Sequence, residues 1–157
     1  SSASQNWQQL LQSNIDREPP RQLALPQAQQ ANVMVVDDSI NMRKLLRTTL
    51  EQAGYGVEQG KDGQDAVDQL LGGLSVDAIV CDIEMPRLDG YGVLAEIKAD
   101  ARFKELPIIM LTSRGSEKHR QLAMRLGATA YITKPYQDHE LLQMVEQVLQ
   151  KQSLSVV

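Results

Sequence analysis

Short aliphatic runs alternate along the chain with stretches whose apolar residues recur every three or four positions. The runs are Val33 to Asp37, Val57-Glu58-Gln59, Asp77 to Asp82, Pro107 to Thr112 and Ala128 to Thr133. Most are nearly continuous in aliphatic residues, the pattern of strands buried on both faces. Helical spacing fills the gaps. The first predicted helix runs from Ser39 to Ala53, with Met42, Leu45, Leu46, Thr49, Leu50 and Ala53 on one face, and Gly54-Tyr55-Gly56 ends it. The second starts at Asp62 or Gly63 and buries Ala66, Val67, Leu70 and Leu71 before Gly72-Gly73. The third starts near Gly90 and carries Val93, Leu94 and Ile97. The fourth spans Ser116 to Leu126, and the fifth, from Asp138, carries Leu141, Leu142, Val145, Val148 and Leu149. Strand and helix alternating at this spacing imply an α/β fold, a doubly wound parallel sheet with helices on both faces. Ligands bind such sheets beyond the carboxyl ends of the strands.

Residues 1 to 31 break the pattern. They are rich in Gln and hold Pro19-Pro20 and Pro26, which would stiffen a tether. Trp7, Leu10, Leu11 and Ile15 have the spacing of a short amphipathic helix, which would dock on a neighbouring domain, but a tether is the simpler reading. Residues 32–151 then form the folded domain and 152–157 a tail. The chain begins without Met, as an excised piece of a larger protein would, and its domain follows the linker as a C-terminal one would.

At 157 residues the chain has room for one ordinary core plus an extension. A net charge of −4 and a pI near 5.2 argue against nonspecific binding to nucleic acid or to an anionic membrane. The single cysteine, Cys81, lies inside an aliphatic run and cannot form an internal disulfide. No apolar stretch approaches the ~20 residues of a membrane span, and the Ser/Gln-rich start is not a signal peptide. These features together suit the cytoplasm.

Asp37 and Asp38 end the first aliphatic run, and Asp82 ends the third. Three carboxylates brought together repel one another and destabilise the fold. A hard cation such as Mg2+, which takes oxygen ligands and pairs with phosphate, offsets that cost. Thr112 ends the fourth run and Lys134 follows the fifth, ahead of Pro135. If the strand ends meet, the site holds three carboxylates, a hydroxyl donor and an ammonium suited to a phosphate. No Ser or Cys nucleophile is paired with a histidine, but an aspartate can itself attack phosphorus. The acids therefore point to metal-assisted phosphoryl chemistry.

Val35-Val36-Asp37-Asp38-Ser39, Asp82-Ile83-Glu84-Met85-Pro86 with Asp89-Gly90, Leu111-Thr112-Ser113, and Gly127-Ala128 through Tyr131-Ile132-Thr133-Lys134-Pro135 together resemble the receiver domains of bacterial two-component response regulators. The resemblance covers about Asn32 to Lys151. It implies a (βα)5, flavodoxin-like sheet in the order 2-1-3-4-5. Asp82 then corresponds to the phosphoacceptor, taking a phosphoryl group from a histidine kinase or a histidine phosphotransfer domain. Asp38, Asp82 and the Glu84 backbone carbonyl would ligate Mg2+ directly, and Asp37 would act through water. Lys134 would pair with the phosphoryl oxygens. Thr112 would move to bond them, with Tyr131 turning inward behind it, and the Lys134-Pro135 peptide would be cis. The switch would act on an output partner at the face of helix four, strand five and helix five. Glu84 and Arg114 would line the path of the attacking water, pairing to hinder hydrolysis and so tune the lifetime.

Other readings compete at single positions. Asp38 would serve as a cap of the first helix, and Thr112 as an ordinary strand-end residue. Tyr131 would be half-buried packing, His119 and His139 solvated surface, and Lys61-Asp62-Gly63 a turn and helix start. Met42, Met85, Met110, Met124 and Met144 read as packing. A Mg2+-dependent aspartyl phosphatase would also use strand-end acids but wants a second acid two residues after the nucleophile and a larger cap. A flavodoxin-like cofactor binder would want a phosphate loop where Asp37-Asp38 would repel phosphate. The Asp38-Ser39 start and Thr112-Ser113-Arg114 running into Glu117-Lys118-His119-Arg120 resemble receivers fused to the C-terminus of chemotaxis-type hybrid histidine kinases. A stand-alone receiver, one cut from a DNA-binding regulator, or a phosphate sink in a relay fits the same residues. On any of these readings the domain is a switch that promotes its own phosphorylation and dephosphorylation, not an enzyme acting on a separate substrate.

Overall fold

The computed structural model describes residues 31–156. The expected helix around Trp7 therefore lies outside the described residues. Five strands, β1 (Asn32–Val36), β2 (Gly56–Gly60), β3 (Ala78–Asp82), β4 (Ile108–Thr112) and β5 (Ala130–Thr133), form one parallel sheet in the order β2-β1-β3-β4-β5. The helices are α1 (Ile40–Gln52), α2 (Gly63–Leu71), α3 (Gly90–Lys98), α4 (Glu117–Arg125) and α5 (Asp138–Val156). A 3-10 turn at Ala101–Phe103 joins α3 to β4. This is the doubly wound α/β fold that the alternation of patterns implies.

The aliphatic runs form strands because both sheet faces are covered. Val33 to Val36, Ala78 to Cys81 and Ile108 to Leu111 are all fully buried. At ~25 cal/mol per Å2 of apolar surface, burial of these three strands is the main stabilising term of the fold. The edge strand β2 is only half-buried until Gly60. Helix starts are set by side-chain caps. Ser39 caps α1 by accepting from Met42 N at 3.2 Å, and Asp62 caps α2 by accepting from Asp65 N at 2.8 Å. Asp89 caps α3 through Gly92 N at 3.0 Å, and Ser116 caps α4. Gly54 closes the end of α1 at φ 99°, a left-handed conformation that costs glycine little.

Several helix positions differ from the expected pattern. The core-facing stripe of α1 is Leu46, Thr49 and Leu50, while Leu45 is 54% exposed and Ala53 is also exposed. Leu45 sits ~100° around the helix from Leu46, too far to reach the sheet from a helix lying flat on it. Leu71 turns outward from Leu70 for the same reason. Met124 is exposed on α4, while Met85 and Met110 are buried as expected. His119 is half-buried, with its Nδ1 2.6 Å from the capping hydroxyl of Ser116, whereas His139 is exposed. The segment 152–157, expected as a tail, continues α5 as far as Val156. No helix among the described residues is long and apolar enough to cross a membrane.

Candidate functional site

Parallel register brings the carboxyl ends of the strands to one edge. Val36 aligns with Cys81, Asp82 with Leu111, and Thr112 with Thr133. Asp37 and Asp38 follow β1, Asp82 ends β3, Thr112 ends β4, and Lys134 follows β5. All five therefore meet at the edge the sequence points to. Asp37, Asp82 and Thr112 are buried, and Asp38 is exposed on the open side. A carboxylate oxygen from each of Asp37, Asp38 and Asp82 lies within 4.8 Å of the others.

The backbone around these acids is tightly held. Asp37 Oδ1 accepts from Ser39 N at 2.9 Å. The Arg43 guanidinium donates to the Asp37 carbonyl at 2.8 Å and to Gln59 Oε1 at 3.3 Å, clamping the end of β1 against β2. Gly90 fits directly beneath β3, since a Cβ there would lie 2.7 Å from the Asp82 carbonyl oxygen and from Ile83 Cα. That close approach lets Gly90 N donate to the Ile83 carbonyl at 2.9 Å and seats α3 below the site. The peptide bond between Lys134 and Pro135 is cis, as expected, and Lys134 N donates to the Thr112 carbonyl at 2.7 Å.

Charge is shared unevenly. Lys134 Nζ donates to Asp82 Oδ1 at 2.9 Å. Burial nevertheless pushes the Asp82 carboxyl up to about 6; Lys134 opposes the rise, while Asp37 and Glu84 add to it. Burial also raises Asp37, against the Ser39 amide and the Lys134 charge. Burial works to lower Lys134, but the hydrogen bond and charge of Asp82 outweigh it and hold the ammonium above its ordinary value. Asp37 Oδ2 is buried and has no hydrogen-bond partner among the described residues. A bare, buried carboxylate oxygen beside two further carboxylates is costly as it stands. It fits a hard cation, whose ligands are oxygens.

On the other side of Asp82, Glu84 reaches across to the loop after β4. Its Oε2 accepts from the Thr112 hydroxyl, and its Oε1 accepts from Ser113 N at 3.2 Å and Ser113 Oγ at 3.4 Å. Thr112 Oγ1 in turn accepts from Arg114 N at 2.9 Å. Arg114 Nε stands 3.9 Å from Glu84 Oε2, so the two residues do pair, loosely and in solvent. Burial works to raise Glu84, but the Thr112 and Ser113 donors and the charges of Lys134 and Arg114 hold it below the ordinary carboxylate range. Tyr131 is half-buried, and its hydroxyl donates to the Arg114 carbonyl at 2.6 Å.

Asp37, Asp38, Asp82, Glu84, Thr112, Arg114, Tyr131 and Lys134, the residues the resemblance assigns to the site, thus all lie at or beside this edge. Arg43 carries no assignment from the sequence, and Ser113 only a place in the Leu111-Thr112-Ser113 motif, although both contact the site. A polar residue inside an amphipathic helix, or one step beyond a strand end, carries no periodic signal; only the register of the assembled sheet shows where it reaches.

The model of the response regulator receiver domain matches residues 33–146. A probable transcriptional regulator, ycf27 of Guillardia theta, is 40% identical over 119 residues, covering 76% of this chain and 45% of that protein. The sensor histidine kinase CheAY of Helicobacter pylori is 36% identical over 115 residues, covering 73% of this chain and 14% of that protein. The chain thus spans less than half the length of either relative. Among solved structures, the chemotaxis protein CheY4 of Vibrio cholerae is 34% identical with a TM-score of 0.72, covering 76% of this chain and 98% of that one.

Proposed function

Because the chain belongs to the response regulator receiver domain family, we propose that Asp82 is its phosphoacceptor and that a phosphohistidine on a histidine kinase or phosphotransfer domain is the donor. One observation carries this reading. Asp82 is a buried carboxylate with one oxygen bound to Lys134, set against a second buried acid whose Oδ2 has no partner.

In the reaction an Asp82 oxygen forms a bond to phosphorus as the phosphorus–nitrogen bond to the donor imidazole breaks. The product is an acyl phosphate. The attacking carboxylate must be ionised, and the Lys134 ammonium favours that form. Lys134 also supplies positive charge to the phosphoryl oxygens, as a compact point charge does for phosphate. Asp38, Asp82 and the Glu84 carbonyl would hold Mg2+ directly, with Asp37 in an outer position. When bound, the cation offsets the repulsion of the acids and neutralises charge on the transferring group. Arg43 keeps Asp37 in place from behind.

Phosphorylation adds charge and strong acceptor oxygens at Asp82. Thr112 would bond them by moving its loop, with Tyr131 following, and so bias the face of α4, β5 and α5 toward its signalling arrangement. A ~100-fold shift in population needs about 2.7 kcal/mol of differential interaction. Bonds of Thr112 and Lys134 to the phosphoryl oxygens contribute toward that, less what their resting bonds to Glu84 and Asp82 already supply. Glu84 and Arg114, paired at 3.9 Å, would shield the acyl phosphate from water. The likeness to CheAY and to CheY4 supports a chemotaxis or motility context and a place in a hybrid histidine kinase, in the cytoplasm. The acidic balance of the domain supports a protein partner, with no direct contact to nucleic acid or membrane.

The test is labelling with acetyl phosphate and Mg2+, followed by phosphotransfer from candidate kinases. Wild type should gain one acid-stable, base-labile phosphoryl group, and Asp82→Ala none. Equal labelling of the two proteins would sink the assignment.

A further inference from the structure

We propose that the Glu84 carboxylate is a built-in stand-in for the phosphoryl group, occupying the donors of the β4–α4 loop until a phosphorylated Asp82 displaces it. The inference rests on the phosphoacceptor reading of Asp82 and concerns what the rest of the site does before the reaction.

Both Glu84 oxygens are engaged by that loop. Oε2 accepts from the Thr112 hydroxyl, and Oε1 accepts from the Ser113 amide and hydroxyl at 3.2 and 3.4 Å. A phosphoryl group offers the same thing, anionic oxygens that accept from hydroxyl and amide donors. Thr112 has a single hydroxyl proton, so it cannot serve Glu84 and a phosphoryl oxygen together. Its orientation is not free either. Arg114 N donates to Thr112 Oγ1 at 2.9 Å, which fixes the lone-pair side and leaves the proton for Glu84. The hydroxyl is fully buried, so water cannot take over from either partner. Arg114 Nε at 3.9 Å adds a loose charge contact on the outer side of the same carboxylate.

Two consequences follow. The resting loop is a satisfied arrangement and not a set of waiting donors, so the resting state is held by a defined bond. Phosphoryl binding is then an exchange of one anion for another at Thr112, and its net gain is smaller than a new hydrogen bond would give. Plain charge repulsion by Glu84 would also weaken anion binding, but it would do so whether or not Thr112 carries a hydroxyl.

A double-mutant cycle separates the two. Binding of beryllofluoride, a phosphoryl mimic, at saturating Mg2+ would be followed by 19F NMR in wild type, Glu84→Gln, Thr112→Val and the double variant. Glu84→Gln should tighten binding about tenfold where Thr112 is present, the scale of one charge-assisted hydrogen bond. In the Thr112→Val background the gain should be smaller by about threefold or more, beyond what independent sites show. The same gain in both backgrounds, or no gain, overturns the proposal. Thr112→Ala replaces Thr112→Val should the latter fail to fold. Absence of any binding to wild type would overturn the phosphoacceptor reading itself, and this inference with it.

Discussion

The carboxylate of Asp82 and the ammonium of Lys134 meet at 2.9 Å although 52 positions separate them in the chain. Even so, the Asp82 carboxyl stands at about 6, against 3.8 for a free one, because burial and the neighbouring acids outweigh the lysine. The folded chain therefore holds a proton at Asp82 more tightly than the unfolded chain does. Without metal, stability falls as pH rises from about 4 to about 6 through this group, and the loss is complete above that window. Allowing for solvent screening of the partly open site, the loss at neutral pH is about 2 kcal/mol. Asp82→Asn should consequently raise the melting temperature in EDTA at pH 7.5, with a gain that shrinks toward pH 4. A gain independent of pH would contradict the shift.

The unpartnered Oδ2 of Asp37 leads to a second expectation. A cation that binds only the folded chain stabilises it by about 1.4 kcal/mol at ten times its Kd. For a domain of this size that is a rise of about 5 °C in melting temperature. Millimolar Mg2+ should produce such a rise in wild type, and Asp38→Ala should reduce it. A melting temperature indifferent to Mg2+ would count against the metal seat.

Most of this geometry is legible in the sequence, and the part that is not shares a physical character. Strands β1, β3 and β4 announce themselves because burial on both faces demands unbroken aliphatic runs, and their ends locate Asp37, just after β1, and Asp82 and Thr112, the last residues of β3 and β4. Helical periodicity is coarser. It marks a stripe but not its width, so it places Leu45 and Leu71 in the core although each lies one step off the buried line. The grip of Glu84 on Thr112, 28 positions on, and of Arg43 on the Asp37 carbonyl passes through single side chains. Such bonds have no period and no composition, and only the assembled sheet edge displays them. The 3-10 turn at Ala101–Phe103 is too short to leave a pattern.

Arg114 stands over the site with its guanidinium loosely paired to Glu84 at 3.9 Å. Removing it opens the approach for water, so Arg114→Ala should speed loss of the phosphoryl group from Asp82. An exposed pair contributes no more than about 1 kcal/mol, which limits the acceleration to about fivefold. The decay of the labelled protein after removal of acetyl phosphate measures it, and an unchanged half-life would remove Arg114 from any role in lifetime.

Lys98 closes the opposite end of the sheet, far from the phosphoryl chemistry. Its Nζ donates to three carbonyls, those of Phe103 at 3.0 Å, Lys104 at 3.1 Å and Leu106 at 2.6 Å. The ammonium thereby satisfies the turn that leads from α3 into β4, although burial lowers its pKa. Lys98→Met keeps the aliphatic stem and removes all three donors, leaving carbonyls without partners. Each lost bond to a charged donor is worth about 1–3 kcal/mol when the acceptor stays dry, but the Lys104 carbonyl is exposed and the other two are only part-buried, so a total of about 2–3 kcal/mol is expected. Urea unfolding should show a lower midpoint with an unchanged slope. Labelling at Asp82 should persist below the transition, because nothing in the site touches Lys98. A loss of labelling without a loss of stability would mean that the α3–β4 turn reaches the site by a route other than folding.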